Sequence, residues 1–245
     1  MARRWLLVVG MAGLLARPAR AQDSGDGFLF GEPAFSFRVR MGYANARAGS
    51  DIFSFTTQQL TLTRSDFSAP SFSAALTWRV AERTDLVLDA GYAGARAGSE
   101  FRDWVDQDSL PIQQTTTFVR EPLTIGIKEY LTPRGHAFGH FAWVPSTIAP
   151  YVGLGGGAMW YQFEQRGSFV DFNTLGVFDS DFNSSGWTPT GHVLAGVDYA
   201  LGPTYGITTE ARYTWANAAL SNSFTGFHRI DLDGYSVSAG MLIRF

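Results

Sequence analysis

Four polar residues in the C-terminal part of the chain have side chains that can do chemistry. His192, Asp198, Glu210 and Arg212 alternate with apolar residues in two successive segments, so they point to one face if these segments are β-strands. A histidine beside a serine and a carboxylate can activate a nucleophile. The same charges can instead pair with one another inside an enclosed interior. We favour the ion-paired interpretation and predict no catalytic centre.

Two other groups could bind metal ions. His136 and His140 are four residues apart and would share a face of a helix, but Gly135 and Gly139 disfavour a helix and no third ligand is evident. The aromatic residues around them, including Trp143, could rest on the membrane surface. Acidic residues form two groups without the spacing of a calcium loop: Asp103, Asp106 and Asp108, then Asp171, Asp179 and Asp181. We interpret all of these as surface residues and predict no metal site.

The glycine run at residues 153–157 does not form a phosphate-binding loop, because no Lys-Ser or Lys-Thr pair follows it. Glycines within a strand more often allow a close approach of the neighbouring backbone. The chain contains no cysteine, which excludes disulfides, thiolate metal sites and a cysteine nucleophile. We predict no cofactor.

The elements that would position these residues are β-strands. Apolar and polar residues alternate in eight segments, a pattern typical of strands with two different faces. The segments are 35–43, 72–80, 86–92, 123–127, 152–160, 193–199, 207–215 and 235–245. The composition, with 27 Gly, 20 Phe, 9 Tyr and 7 Trp, favours strands, turns and interfacial aromatic rings.

The connections between these segments alternate in length. Residues 81–84 and 201–205 form short turns, whereas the long links are 44–69, 96–117, 164–187 and 216–233. This alternation is typical of a transmembrane barrel with long outer loops and short inner turns. The link at 132–148 should be short and is long. The long links contain many aromatic residues, which indicates ordered loops that extend the barrel or an adhesive surface.

Alternation alone does not say which face points outwards, and a soluble barrel with apolar residues inside is the alternative. Three features favour lipid outside: charges lie on the polar face of most segments, aromatic residues gather near the segment ends, and the last segment ends on Phe245. The residues that we predict to line the lumen are Arg38, Arg40, Arg79, Asp89, Lys128, His192, Asp198, Glu210, Arg212 and Arg244. We therefore predict an all-β, eight-stranded, antiparallel up-and-down transmembrane β-barrel, in which 235–245 pairs with 35–43 because hydrocarbon tolerates no free edge.

The N-terminus has the pattern of a signal peptide. Arg3 and Arg4 precede an apolar run of 12 residues, and Ala19-Arg20-Ala21 is a small-x-small cleavage site. Cleavage would remove four arginines and no acidic residue, so the formal net charge would fall from −3 to about −7, which argues against a nucleic-acid partner. We expect a signal peptide at 1–21, an N-terminal segment at 22–33 and the barrel domain at 34–245.

The C-terminal residues resemble the assembly signal of outer-membrane barrels, carried by Ser238, Gly240, Ile243 and Phe245. Residues 122–130 and 150–157 likewise resemble strands of the OmpA/OmpW-like small barrels. The resemblance implies a bacterial outer-membrane location, insertion by the barrel-assembly machinery, and contact with outer-membrane lipid and lipopolysaccharide. It leaves three functions open. We favour a structural or loop-presenting envelope protein that is monomeric and not an enzyme. The alternatives are a narrow or lateral channel for small or hydrophobic solutes, and a lipid A-modifying enzyme that uses His192.

Overall fold

The computed structural model describes residues 29–138, 142–172, 174 and 176–245. The predicted signal peptide and most of the 22–33 segment lie outside the described residues. Among the described residues, no helix has the length and apolar character to cross a membrane.

Within the described residues, the chain is almost entirely β-structure. The strands are β1 Leu29–Phe30, β2 Phe35–Ala46, β3 Ala69–Arg79, β4 Thr84–Val105, β5 Pro111–Tyr130, β6 Gly135–Phe138, β7 Ala142–Pro145, β8 Ile148–Val170, β9 Val177–Ala200, β10 Tyr205–Ala218, β11 Ile230–Asp231 and β12 Gly234–Arg244. One α-helix, α1 Asp51–Gln59, and two 3₁₀ turns, Arg64–Phe67 and Asn222–Phe224, lie in the connections.

Eight of the described strands form a closed antiparallel ring in the order β2-β3-β4-β5-β8-β9-β10-β12. The ring closes where β12 pairs with β2, from Gly234 opposite Ala46 to Arg244 opposite Ser36. Beyond this ladder, Phe35 and Phe245 exchange two backbone hydrogen bonds of 3.0 and 3.1 Å. The predicted eight-stranded barrel and its closing pair are confirmed.

The strands extend further on one side than the sequence predicted. β4, β5, β8 and β9 contain 22, 20, 23 and 24 residues, whereas a tilted strand crosses a bilayer in about 9–11. The prediction of long loops at 96–117 and 164–187 was therefore wrong, because these stretches are mostly paired strands. Outside the membrane both faces can be partly polar, so the alternation that marks a spanning strand fades there.

The long link at 132–148 forms a small hairpin at the opposite end of the barrel. β6 pairs with β7, and β1 adds to the other edge of β7. His136 lies on strand β6, so the helical arrangement considered for the two histidines is wrong; His140 lies outside the described residues. Trp143 is 2% exposed, which corrects the expectation that it rests on the membrane surface. The hairpin places it with Ser36, Thr77 and Asp198 around a space at the barrel end.

The outer surface of the barrel carries an apolar belt. Residues on the outward face of the spanning strands are exposed and apolar: Val39, Met41, Leu88, Ile125, Ile127, Leu154, Val193, Ile207, Val237 and Met241. Exposed aromatic residues border the belt: Phe35, Trp78, Tyr205 and Phe245 at the end with the short turns, and Tyr43, Tyr92, Trp187, Trp215 and Tyr235 at the other. Such a belt between two aromatic girdles fits a lipid bilayer and not water. The short turns therefore mark the periplasmic end of the barrel.

Candidate functional site

The middle of the barrel interior contains four interlocked charges, which we call the central cluster: Arg40, Asp89, Glu210 and Arg212. Arg40 on β2 pairs with Asp89 on β4 and with Glu210 on β10 at 2.6 Å. Arg212 contacts the same two carboxylates at 2.8 and 2.9 Å. Two guanidiniums thus balance two carboxylates, and three of the four pairs connect different strands of the barrel, whereas Arg212 and Glu210 both lie on β10.

A second group, the lower cluster, lies nearer the periplasm and consists of Arg38, Lys128, Tyr130 and Asp198. The Asp198 carboxylate accepts hydrogen bonds from Arg38 at 3.0 Å and from the Tyr130 hydroxyl at 2.7 Å, and Lys128 lies 3.6 Å away. All four side chains are buried. Buried ions need such networks, because breaking one pair leaves an uncompensated charge.

The remaining predicted lumen cations lie at the periplasmic rim. The Arg79 side chain is 29% exposed and pairs with Glu32, so it lines the rim and not the middle of the lumen. Arg134 in the 132–148 link reaches Asp85 at 2.7 Å and Glu32 at 3.5 Å, and Arg244 is buried near the Gly202 carbonyl. With Trp143 these residues form what we call the periplasmic cap.

Sequence reasoning missed several residues of these networks. Asp85 and Tyr130 stand at inward positions by the same alternation that identified Asp89 and Lys128, so the signal was present. Arg134 and Glu32 lie in irregular segments whose fold the alternation does not specify.

The outer mouth of the barrel is filled by apolar side chains, which we call the outer core. Helix α1 inserts Phe53, which is fully buried, against Phe67, Phe118 and Phe163, with ring centroids 4.7, 5.3 and 5.6 Å apart. Further buried members come from the extended strands and the last loop: Phe101, Ile112, Val170, Phe224, Ile230 and Leu232. Several loop aromatics therefore pack inwards, as ordered extensions of the barrel, whereas Phe55, Phe172 and Phe178 stay exposed.

His192 does not belong to a catalytic arrangement among the described residues. It is buried in the lumen, and its Nδ1 has no hydrogen-bond partner. Its ring lies beside Gly155, where a Cβ atom would come within 2.8 Å of the His192 Cε1. A Cβ atom there would also come within 2.7 Å of the Ile125 carbonyl oxygen, so Gly155 allows the close backbone approach that the sequence predicted.

The acidic residues of the outer connections pair locally or stay in solvent. Asp181 and Asp179 lie on β9, where Asp181 accepts a hydrogen bond from Arg166 at 3.0 Å and Asp179 one from Ser168 at 2.7 Å. Asp106 caps its own turn by accepting from the backbone of Asp108 and Leu110. In the part of the chain that the structure describes, no group of three histidine or acidic side chains is placed to hold a metal ion.

A cavity of about 80 Å³ lies between the central cluster and the outer core. It exists because inward residues at this level are small: Ala44, Ser71, Ser73, Gly91, Ala93, Gly234, Ser236 and Ser238. Arg120 and Met159 also line it. Pro122, which has no N–H group, lies at a break in the β4–β5 ladder between the pairs Ala90–Leu123 and Ala93–Arg120.

The structure is similar to solved outer-membrane barrels. The Neisserial surface protein A matches with a TM-score of 0.45 and 15% identity, covering 86% of this chain and 97% of that chain. The attachment invasion locus protein Ail of Yersinia pestis gives 0.42 and 12%, covering 86% and 100%, and outer membrane protein W of E. coli gives 0.40 and 18%, covering 87% and 98%. No protein-family model matches the sequence, and no curated protein matches it significantly.

At these identities and TM-scores the similarities say nothing of activity, and the class of the protein follows from the barrel itself. A closed ring without free edges, an apolar belt between aromatic girdles and a charged interior together define a transmembrane β-barrel. The chain is therefore a small, eight-stranded transmembrane β-barrel.

Proposed function

We propose that the protein is a non-conducting, non-enzymatic envelope protein that strengthens the outer membrane and presents an ordered structure outside it. The observation that supports this most strongly is the obstruction of the described barrel interior at three levels. Three levels follow one another along the barrel axis. The first is the periplasmic cap together with the lower cluster, the second is the central cluster and the third is the outer core.

The central cluster is the best argument against a pore. Its pairs connect β2 with β4 and β10, so a solute would have to break them to pass. Eight-stranded barrels have interiors that side chains can fill, and here balanced charges fill it. Opening such a network would leave buried charges without partners, at a cost of about 3–5 kcal/mol for each broken pair.

The extended strands support the second part of the proposal. The β4–β5 and β8–β9 hairpins continue well past the outer girdle and touch through Trp104 and Phe172, whose ring centroids lie 6.1 Å apart. Val105, Leu110 and Phe178 are exposed near the hairpin ends. Exposed apolar residues on an ordered surface favour a partner-binding role. The other partners that we propose are lipid and lipopolysaccharide around a monomeric barrel, and the barrel-assembly machinery during insertion.

Accessibility of the lumen can be tested directly because the chain has no cysteine. Ser236→Cys would place a thiol in the cavity, and the matched control Ser65→Cys would place one on the exposed outer 3₁₀ turn. We expect a bulky membrane-impermeant maleimide to label Ser65→Cys on intact cells and to label Ser236→Cys only after denaturation. Equal labelling rates in the two folded variants would contradict the closed lumen.

The channel and enzyme alternatives lack a specific supporting observation. A catalytic role for His192 would need a serine and a carboxylate within hydrogen-bond distance, and the described residues supply neither. A lipid A mass change on expression that disappears in His192→Ala would nevertheless overturn the non-enzymatic proposal.

A further inference from the structure

Arg120 is a buried cation without a counter-ion in the described part of the chain. Its side chain is 7% exposed and belongs to no ion pair among those residues. Nη1 donates one long hydrogen bond of 3.5 Å to the Leu232 carbonyl, and Nη2 has no partner. A guanidinium stays protonated in proteins, so Arg120 keeps its positive charge at this position.

Neighbouring acids form no ion pair with Arg120 among the described residues. Asp89 and Glu210 are each shared by Arg40 and Arg212. Asp231 is engaged by the backbone N–H groups of Gly49 and Asp233. The cavity is therefore lined by three guanidiniums and two carboxylates, and Arg120 supplies the excess positive charge.

The surroundings of Arg120 have room and polarity for a small anion. The cavity of about 80 Å³ could hold on the order of five water molecules by volume. The hydroxyls of Ser71, Ser236 and Ser238 line it, and Met159 and Pro122 provide apolar surface. A carboxylate is the group that a guanidinium fork binds best, through two parallel hydrogen bonds.

We propose that this cavity is a binding site for a short-chain monocarboxylate, with Arg120 as the residue that binds the carboxylate. The Nη groups of Arg120 donate to the carboxylate, and the hydroxyls of Ser71 and Ser236 donate to its remaining lone pairs. The short alkyl chain lies against Met159. The cavity is not fully enclosed, because the outward-facing Phe72, Tyr92 and Tyr235 also border it, so a small carboxylate enters past these side chains. A bulky maleimide would remain excluded.

Equilibrium dialysis of the refolded full chain in non-ionic detergent, with radiolabelled propionate at constant ionic strength, tests the proposal. We expect saturable binding by the wild type and by Arg96→Met, which removes an outward-facing arginine from the adjacent strand. Arg120→Met should weaken binding at least tenfold, and propanol should not compete. No saturable binding by the wild type, or equal binding by Arg120→Met, would overturn the proposal.

A second variant protects the test against a folding defect in Arg120→Met. Ser236→Leu fills the cavity from β12 and leaves the guanidinium in place. We expect it to migrate on gels as a folded, heat-modifiable barrel and to lose propionate binding. Retained binding in folded Ser236→Leu would place the carboxylate elsewhere and refute the site.

Discussion

Removal of one arginine from the central cluster should cost more than any surface substitution. In Arg40→Met, both carboxylates lose a partner: Glu210 loses one at 2.6 Å, Asp89 loses its contact with the same guanidinium, and only Arg212 remains. One buried negative charge is then uncompensated. Breaking a buried pair in this way costs about 3–5 kcal/mol, so we expect the free energy of unfolding to fall by about that amount.

The assay is equilibrium urea unfolding of the barrel refolded into lipid vesicles, followed by tryptophan fluorescence. Arg47→Met is the matched control, because Arg47 is 63% exposed and pairs at the barrel surface with Asp233, which is 15% exposed. Surface pairs contribute little compared with fully buried ones. Arg40→Met/Asp89→Asn restores the charge balance and should recover at least half of the loss. If Arg40→Met unfolds at the same urea concentration as Arg47→Met, the interpretation of the central cluster is wrong.

Three further changes test the outer core, an outer contact and the barrel closure. In the same urea assay, Phe53→Ala should lower the free energy of unfolding by about 3–5 kcal/mol. Phe55→Ala is the milder control, because Phe55 is 40% exposed. Equal losses in the two variants would contradict a packed outer core. Burial raises the pKa of Asp51, but hydrogen bonds from His228 outweigh it and leave the pKa below its usual value. The contact is therefore stable above the ordinary aspartate pKa and weakens as the pH falls through the lowered value. The hydrogen-exchange protection factors of the last outer loop, corrected for the intrinsic exchange rate at each pH, should therefore fall in acid. Asp51→Asn should remove this pH dependence. Gly240→Leu should block closure of the barrel between β12 and β2, because a Cβ atom at this position would collide with the facing β2 backbone. A heat-modifiable folded band of this variant on gels would refute the prediction.

The sequence predicted the barrel well because the membrane imposes a strict pattern. Each spanning strand must show lipid on one face and the lumen on the other, so alternation identified all eight strands. The need for a sheet without free edges predicted that 235–245 pairs with 35–43, as the structure shows. The same alternation placed Arg40, Asp89 and Glu210 on the inward face. Which charges would pair across the lumen depends on the register of strands far apart in sequence, and a single sequence does not specify that register.

Outside the membrane the pattern loses its physical cause, and the predicted strand limits were wrong there. The extended part of β8 carries Gln165 inwards and Arg166 outwards, so polarity no longer separates the two faces. The periplasmic cap depends on Trp143 and Arg134 reaching back under the barrel, which is a tertiary contact. The cavity was also missed, because it arises from small residues such as Ser236 that meet only in the folded ring.

Single-channel recording in planar lipid bilayers tests the closed lumen most directly. The purified full-length barrel is inserted from detergent, its folding is checked by heat modifiability, and an open general-diffusion porin is recorded in parallel. The three obstructed levels predict no current steps above baseline over the voltage range at which the porin conducts. Reproducible steps of uniform conductance from the folded protein would contradict the account.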